Sequence, residues 1–383
     1  MIQLKAAIVG LGFMGGTHLE ALRRLGVEVT GVLGISPEEG KVFCERMSVA
    51  KAYSDFEELA ADTEVKVIHI CTPNYLHYSM VKQALFSGKH VICEKPLSMT
   101  KAEACELKQL AEEKALIGSV NYNLRFYPLC REAHDRVRSG ELGDIRLIHG
   151  QYLQDWLFLP TDWNWRLEPD LGGELRAVSD IGTHWLDMVT WVTGQEVTSV
   201  LADLQTVLHT RYKPKKEAET FASKIIKLED VEPMGIQTDD YGGILLRFSG
   251  GARGVLMVSQ VSAGRKNHFW WEVNGAISSL AWDQENPNRL WLGHRDDPNQ
   301  DLIKDPALMG LGARSITAYP GGHAEGYPDT FVQAFKAIYQ YIEVGDFDKE
   351  RLFATFEDGW RELALCEAIQ LSAQEGRWIE LKN

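Results

Sequence analysis

The stretch Leu4-Lys5-Ala6-Ala7-Ile8-Val9-Gly10-Leu11-Gly12-Phe13-Met14-Gly15 decides the fold. Leu4 to Val9 is an apolar run of strand length that passes directly into G-x-G-x-x-G. Beyond it, Leu19, Leu22 and Leu25 recur at helical spacing. A glycine triplet between a strand and a helix is the context that makes this motif a dinucleotide fingerprint. Gly10 permits the tight turn, Gly12 lets the backbone approach a pyrophosphate, and Gly15 lets the helix lie close to the strand. The helix N-terminus adds amide donors and a positive dipole end. Phe13 and Met14 share the pyrophosphate side with the three glycines.

The next strand, Glu28 to Leu33, should end in an acidic residue for the adenosine ribose. It runs instead into Gly34-Ile35-Ser36-Pro37-Glu38-Glu39, with no carboxylate at its tip and Ser36 nearest the ribose. A 2′-phosphate would want a nearby cation, and only Lys41 is close. Glu38 and Glu39 would repel a phosphate that they faced. NAD is the expected cofactor, with NADP as the alternative.

A third strand, Val65 to Cys71, leads into Thr72-Pro73-Asn74-Tyr75-Leu76-His77 and a helical stretch, Ser79 to Ser87. A fourth apolar run, Lys89 to Cys93, ends in Glu94-Lys95-Pro96, and Leu116 to Tyr122 supplies a fifth strand. Alternating strands and helices make a doubly wound parallel sheet, closing a domain over residues 1–123. Ligands in such sheets sit at the carboxyl ends of strands. Lys95 stands there, so it is either a chemical group or part of an ordinary Lys-Pro turn.

Residues 124–383 form the second domain. Gly150 to Asp155 can be a strand, and Phe158 to Arg176 reads as a long loop that Trp156, Trp163 and Trp165 should keep ordered. Ile181 to Val192 is helical. Asp180 and His184 are i, i+4 neighbours on one face. By themselves they read rather as an N-capping aspartate and a core histidine. Short strands follow: Gly243 to Phe248, Arg253 to Ser259, Lys266 to Asn274, Ser278 to Asp283 and Leu290 to Gly293. With turns at Ser249-Gly250-Gly251 and Asn274-Gly275, they predict an antiparallel meander. His209 to Pro233 is charged and helix-prone, a solvated excursion. Helices over Pro328 to Val344 and Phe356 to Gln374 end the chain.

Composition narrows the partners. A chain of 383 residues, 45% hydrophobic, has ample core for about two domains. A net charge of −14 disfavours nucleic acid and anionic membrane. No secretory apolar segment precedes the first strand, and no run is long enough to span a bilayer. Cysteines 44, 71, 93, 105, 130 and 366 form no C-x-x-C pair. Cys71 and Cys93 read as small packed apolar groups, and a reduced, cytoplasmic protein is expected. No metal is expected, since the histidines are dispersed.

The glycine loop, Thr72-Pro73-Asn74 with His77, Glu94-Lys95-Pro96 and Asn121-Tyr122-Asn123-Leu124-Arg125-Phe126 occur in that order. Asp180-Ile181-Gly182-Thr183-His184 and Phe356-Glu357-Asp358-Gly359-Trp360 follow. Together they resemble the Gfo/Idh/MocA oxidoreductases over nearly the whole chain. Trp163-Asn164-Trp165-Arg166 and Gly321-Gly322-His323-Ala324-Glu325-Gly326 look like the branch acting on pyranose-type sugars, including levoglucosan-like ones.

The resemblance implies a Rossmann domain followed by an α/β domain with a large, mostly antiparallel, open-faced sheet. That face would form a homodimer or homotetramer. It implies hydride transfer between NAD(P) and a secondary hydroxyl or ketone of a sugar or cyclitol. His184 would be the general base, Asp180 its orienting partner, and Lys95 the donor to the reacting oxygen or itself the base. Thr72, Pro73, Asn74, His77, Glu94 and Lys95 would line the nicotinamide side, with Trp165 and Arg166 closing over the cofactor. Tyr122, Arg125, Tyr152, Asp155, Arg176, Asp180, His184 and His323 would meet the substrate. Eleven tryptophans suit a sugar, whose rings stack on indole faces. Two other classes stay open: a redox-neutral, glycoside-cleaving enzyme with tightly bound NAD, and a non-catalytic sugar or dinucleotide sensor.

Overall fold

A computed structural model describes residues 2–215 and 230–381. The chain packs into two compact units, one of Met1–Asn123 with Tyr327–Leu363 and one of Leu124–Gly326 with Ala364–Asn383. The sequence reading gives all of 124–383 to the second domain. Tyr327–Leu363 groups instead with the first, and its apolar side chains explain why: Ala354, Phe356 and Leu363 belong to the same buried cluster as Val91, Cys93 and Val120. Ser119 Oγ also donates to the Ala354 carbonyl at 2.7 Å.

In the first unit, β1 (Lys5–Val9), β2 (Val29–Leu33), β3 (Val65–Ile70), β4 (His90–Cys93) and β5 (Gly118–Val120) form a parallel sheet of order β2-β1-β3-β4-β5. Helices α1 (Phe13–Arg24), α2 (Pro37–Met47), α3 (Phe56–Ala61), α4 (Asn74–Phe86) and α5 (Lys101–Glu113) connect the strands. The order reverses at β1, so the loops after β1 and β3 diverge and open a crevice at the carboxyl ends. The apolar runs are buried on both faces, as parallel strands require.

In the second unit, β6 (Ile145–Leu153), β7 (Val197–Gln205), β8 (Thr210–Pro214), β9 (Val231–Gly235), β10 (Tyr241–Phe248), β11 (Arg253–Ser259), β12 (His268–Gly275), β13 (Ser278–Asp283), β14 (Arg289–His294), β15 (Gln300–Ile303) and β16 (Ile379–Glu380) follow in sequence. All but β8 and β9 form one sheet, ordered β15-β14-β13-β12-β6-β11-β10-β7-β16. The expected meander is broken at its centre. β6 lies between β11 and β12, parallel to the first and antiparallel to the second. The chain after Ser259 therefore steps over one strand before β12.

The helix Thr183–Thr193 packs on this sheet where β6 has no side chain. A Cβ on Gly150 would fall 2.3 Å from Trp185 Nε1, which donates to the Trp270 carbonyl. The opposite face carries exposed Leu147, Leu245 and Val255. The stretch expected to be helix-prone, His209 to Pro233, begins and ends as the paired strands β8 and β9, and its interior, residues 216–229, lies outside the described residues.

Candidate active site

The three glycines of the loop stand in different surroundings. Gly10 adopts φ +90°, and a Cβ there would lie 2.6 Å from the Cys71 carbonyl oxygen. A Cβ on Gly15 would strike the Gly10 carbonyl oxygen at 2.0 Å. Gly12 differs, because a Cβ there would meet nothing within 4 Å. Gly12 also stands at the N-cap of α1 without a side-chain cap. The loop thus presents uncapped helix amides beside open space, which fits a pyrophosphate. Phe13 is exposed beside it and Met14 half-buried.

At the tip of β2, the Ser36 hydroxyl accepts from Glu39 N at 3.2 Å and caps α2. The acid missing from the strand tip arrives from that helix. Glu39 Oε2 accepts from Ile35 N at 2.6 Å, and a Cβ on Gly34 would lie 2.5 Å from it and 3.1 Å from Leu11 Cδ1 of the glycine loop. A glycine in the place of the expected acid makes room for a carboxylate five residues later. Sequence reading named Glu39 only as a charge; the i, i+4 reach from Ile35 was the available signal.

The loops after β3 and β4 are tied by one ring. His77 is buried, its Nδ1 2.7 Å from the Pro96 carbonyl oxygen and its Nε2 2.8 Å from that of Thr72. Pro73 occupies the N-cap of α4 and Asn74 is buried in its first turn. Lys95 is half-buried, and its bond to Pro96 is cis. Glu94 is buried, with Oε1 2.9 Å from His18 Nε2 and 2.5 Å from Asn121 Nδ2. Burial alone would push its carboxyl upward. The hydrogen bond from His18, then Asn121 and the Lys95 charge, hold it below the ordinary carboxylate value. Tyr122 is buried at the end of this sheet.

In the second unit, Asp180 sits in a π turn, Val178–Gly182, that runs into the helix bearing His184. Gly182 lets that turn approach β11, where a Cβ would come within 3.3 Å of Val258. Asp180 Oδ2 accepts from Gln260 Nε2 at 2.8 Å, and its Oδ1 lies 3.1 Å from Arg166 Nε. Arg166 stacks on the face of Trp165, and Asn164 Oδ1 accepts from its backbone and guanidinium. The structure thus brings Arg166, expected to close over the cofactor, onto Asp180.

Tyr152 is buried with its ring centroid 6.3 Å from that of His184. Its hydroxyl donates to Asn267 Oδ1 at 2.8 Å, and burial pushes its ionisation upward.

Three of the other expected substrate contacts have charged partners of their own. Arg125 is buried and paired with Asp187, Nε to Oδ2 at 2.9 Å. Arg176 is buried against Asp240, and its Nη1 donates to Gln260 Oε1 at 2.9 Å. Asp155 pairs with Lys266 Nζ at 2.7 Å and accepts from Gly264 N. His323 is exposed, 3.4 Å from the Gly321 carbonyl oxygen. Gln260, on no sequence motif, was not expected. Nothing in its neighbourhood of the chain marks a residue that joins Arg176 to Asp180.

The tryptophan-rich loop is packed, with Trp156 and Trp163 against buried Leu157, Leu167 and Ile236. Among the described residues, no helix is long and apolar enough to cross a membrane.

Residues 4–122 match the family model described as "Oxidoreductase family, NAD-binding Rossmann fold", and residues 130–280 match "GFO/IDH/MocA C-terminal domain". Levoglucosan dehydrogenase of Pseudarthrobacter phenanthrenivorans is 27% identical, the match covering 100% of this chain and 99% of that protein. A 1,5-anhydro-D-fructose reductase of Ensifer adhaerens is 32% identical over 48% of this chain and 54% of its own length. Levoglucosan dehydrogenase solved with NADH and levoglucosan superposes with a TM-score of 0.87 at 25% identity, covering 99% of each chain.

Proposed function

This chain belongs to the Gfo/Idh/MocA family of NAD-binding oxidoreductases, and we propose that it interconverts a secondary hydroxyl and a ketone on a pyranose-type sugar or cyclitol. NAD fits the first unit through the open space at Gly12, the amides of α1 and the Glu39 carboxylate. When bound, the nicotinamide accepts the hydride in oxidation and returns it in reduction.

The observation that carries the reading is Asp180, held at both oxygens by Gln260 and Arg166 one turn before His184. A carboxylate fixed in this way can orient an imidazole or a sugar hydroxyl. His184 takes the hydroxyl proton, since an imidazole ordinarily titrates near neutral pH. Lys95 donates to the reacting oxygen and stabilises the negative charge it develops, and Glu94 steadies that lysine. In oxidation the carbon loses a hydride and the oxygen a proton, leaving the ketone. The levoglucosan-like relatives favour an anhydropyranose among the sugars. We assign the exposed apolar face of the large sheet as the contact surface of a homodimer or homotetramer.

The test is isotopic. NADH deuterated at the nicotinamide C4, incubated with a candidate keto sugar, should leave deuterium on the carbinol carbon of the product. Deuterium retained in the cofactor with every keto sugar tried, with NADH bound, would overturn the assignment.

A further inference from the structure

We infer that His18, His69 and Tyr339 are positioning residues that act through Glu94 on the Lys95 loop, by a hydrogen-bond chain running in one direction. This deepens the proposed function and rests on it only for the role of Lys95. The geometry lies wholly within the first unit. His18 Nε2 is 2.9 Å from Glu94 Oε1, His18 Nδ1 is 3.0 Å from His69 Nδ1, and His69 Nε2 is 3.0 Å from the Tyr339 hydroxyl. His18, His69 and Tyr339 are fully buried. Phe335 meets both imidazoles edge-on, at 4.7 and 4.8 Å between centroids.

The proton positions follow from the end of the chain. An ionised carboxylate only accepts, so His18 Nε2 must donate to Glu94. With one proton on its ring, His18 then has a lone pair at Nδ1. Two facing ring nitrogens can share only one proton, so His69 Nδ1 donates to His18. That leaves His69 Nε2 as an acceptor, and Tyr339 donates to it. As two neutral rings the histidines are therefore opposite tautomers, His18 protonated at Nε2 and His69 at Nδ1.

The groups facing Glu94 are His18 from α1, Asn121 beyond β5, its neighbour Lys95, and the Cys71 and Cys93 thiols. Burial holds His69 well below the ordinary imidazole value. Burial pushes Tyr339 well up. Neither end of the chain changes charge near neutral pH, and the buried anion stays fixed beside Lys95. A carboxylate held this way steadies the lysine that meets the reacting oxygen.

The first test needs no substitution. Protein labelled with 15N-histidine, read by long-range 15N–1H correlation, should show His18 as the Nε2–H tautomer and His69 as Nδ1–H from about pH 6 to 8. Identical tautomers, or titration of His69 in that range, would overturn the chain.

The second test uses His69→Phe and Tyr339→Phe. Each should lower kcat/KM about tenfold and displace a limb of its pH profile, with NADH affinity within about twofold of the parent. A lower Tm with an unmoved pH profile would reduce the chain to packing and overturn the positioning role. If the parent transfers no hydride to any sugar, the functional reading fails, while the tautomer pair still decides the chain.

Discussion

Gln260 donates from Nε2 to Asp180 Oδ2 at 2.8 Å while its Oε1 accepts from Arg176, so a single amide joins a buried ion pair to the candidate catalytic carboxylate. The orientation of that amide is fixed, because a guanidinium only donates and a carboxylate only accepts. Gln260→Leu should lower kcat/KM about 10- to 100-fold, the worth of a hydrogen bond to a charged group. Urea unfolding should show a much smaller relative change. An unchanged kcat/KM would remove Asp180 from the reaction.

Arg176→Met should behave in the opposite way. Asp240 would keep Arg211 but lose its second buried partner, at a cost of about 3 kcal/mol. The substitution should show in the unfolding midpoint, and in activity only through Asp180. A normal midpoint with a raised KM would return Arg176 to the substrate.

These two residues also show how far the chain can be read unaided. β1 to β5 were legible because a parallel strand buried on both faces is an uninterrupted apolar run. The glycine loop was legible because Gly10 and Gly15 leave no room for a side chain, while Gly12 faces open space. The partners of Arg125, Arg176 and Asp155 were not legible, because a charge near a motif does not announce its partner. Asp187, Asp240 and Lys266 stand 62, 64 and 111 residues away. The insertion of β6 between β11 and β12 was hidden for the same reason, since strand order is a long-range property. The His18–His69–Tyr339 chain spans 270 residues at its last link.

Glu39 should set the cofactor preference. Its carboxylate lies beside the glycine loop at the tip of β2, where it can accept from a ribose hydroxyl and would repel a 2′-phosphate. In fluorescence titrations the parent should bind NADH at least about tenfold more tightly than NADPH, corresponding to about 1.4 kcal/mol. Glu39→Gln should narrow the gap and Glu39→Arg should reverse it. Equal affinities in the parent would contradict the assignment.

His77 should matter for both stability and catalysis. His77→Ala removes a buried ring and its contacts with the Thr72 and Pro96 carbonyls, a loss of about 2–4 kcal/mol in denaturant unfolding. Because Pro96 follows Lys95, kcat should fall with it. A change below about 0.5 kcal/mol would show that the two loops hold without the ring.

Acid should weaken the first unit through His90. Burial pulls this imidazole down to about 4, and its Nδ1 accepts from Ile117 N at 2.9 Å. In the unfolded chain it titrates near 6.5. Between those values the unfolded state binds more protons, so stability rises with pH across the window and is lost as pH falls from about 6.5 to about 4. His90→Gln should flatten that part of the stability curve. An unaltered slope would place the acid sensitivity elsewhere.

The central claim is that one protein carries NAD, a lysine donor and a histidine base for a sugar hydroxyl. The most direct measurement follows nicotinamide absorbance over a panel of anhydrosugars, pyranoses and inositols with NAD, for the parent, Lys95→Ala and His184→Ala. The account predicts NADH formation with one sugar class, reduced at least about a hundredfold in both variants. Turnover that survives in either variant, or a parent that binds NAD yet reduces none of it across the panel, would contradict it.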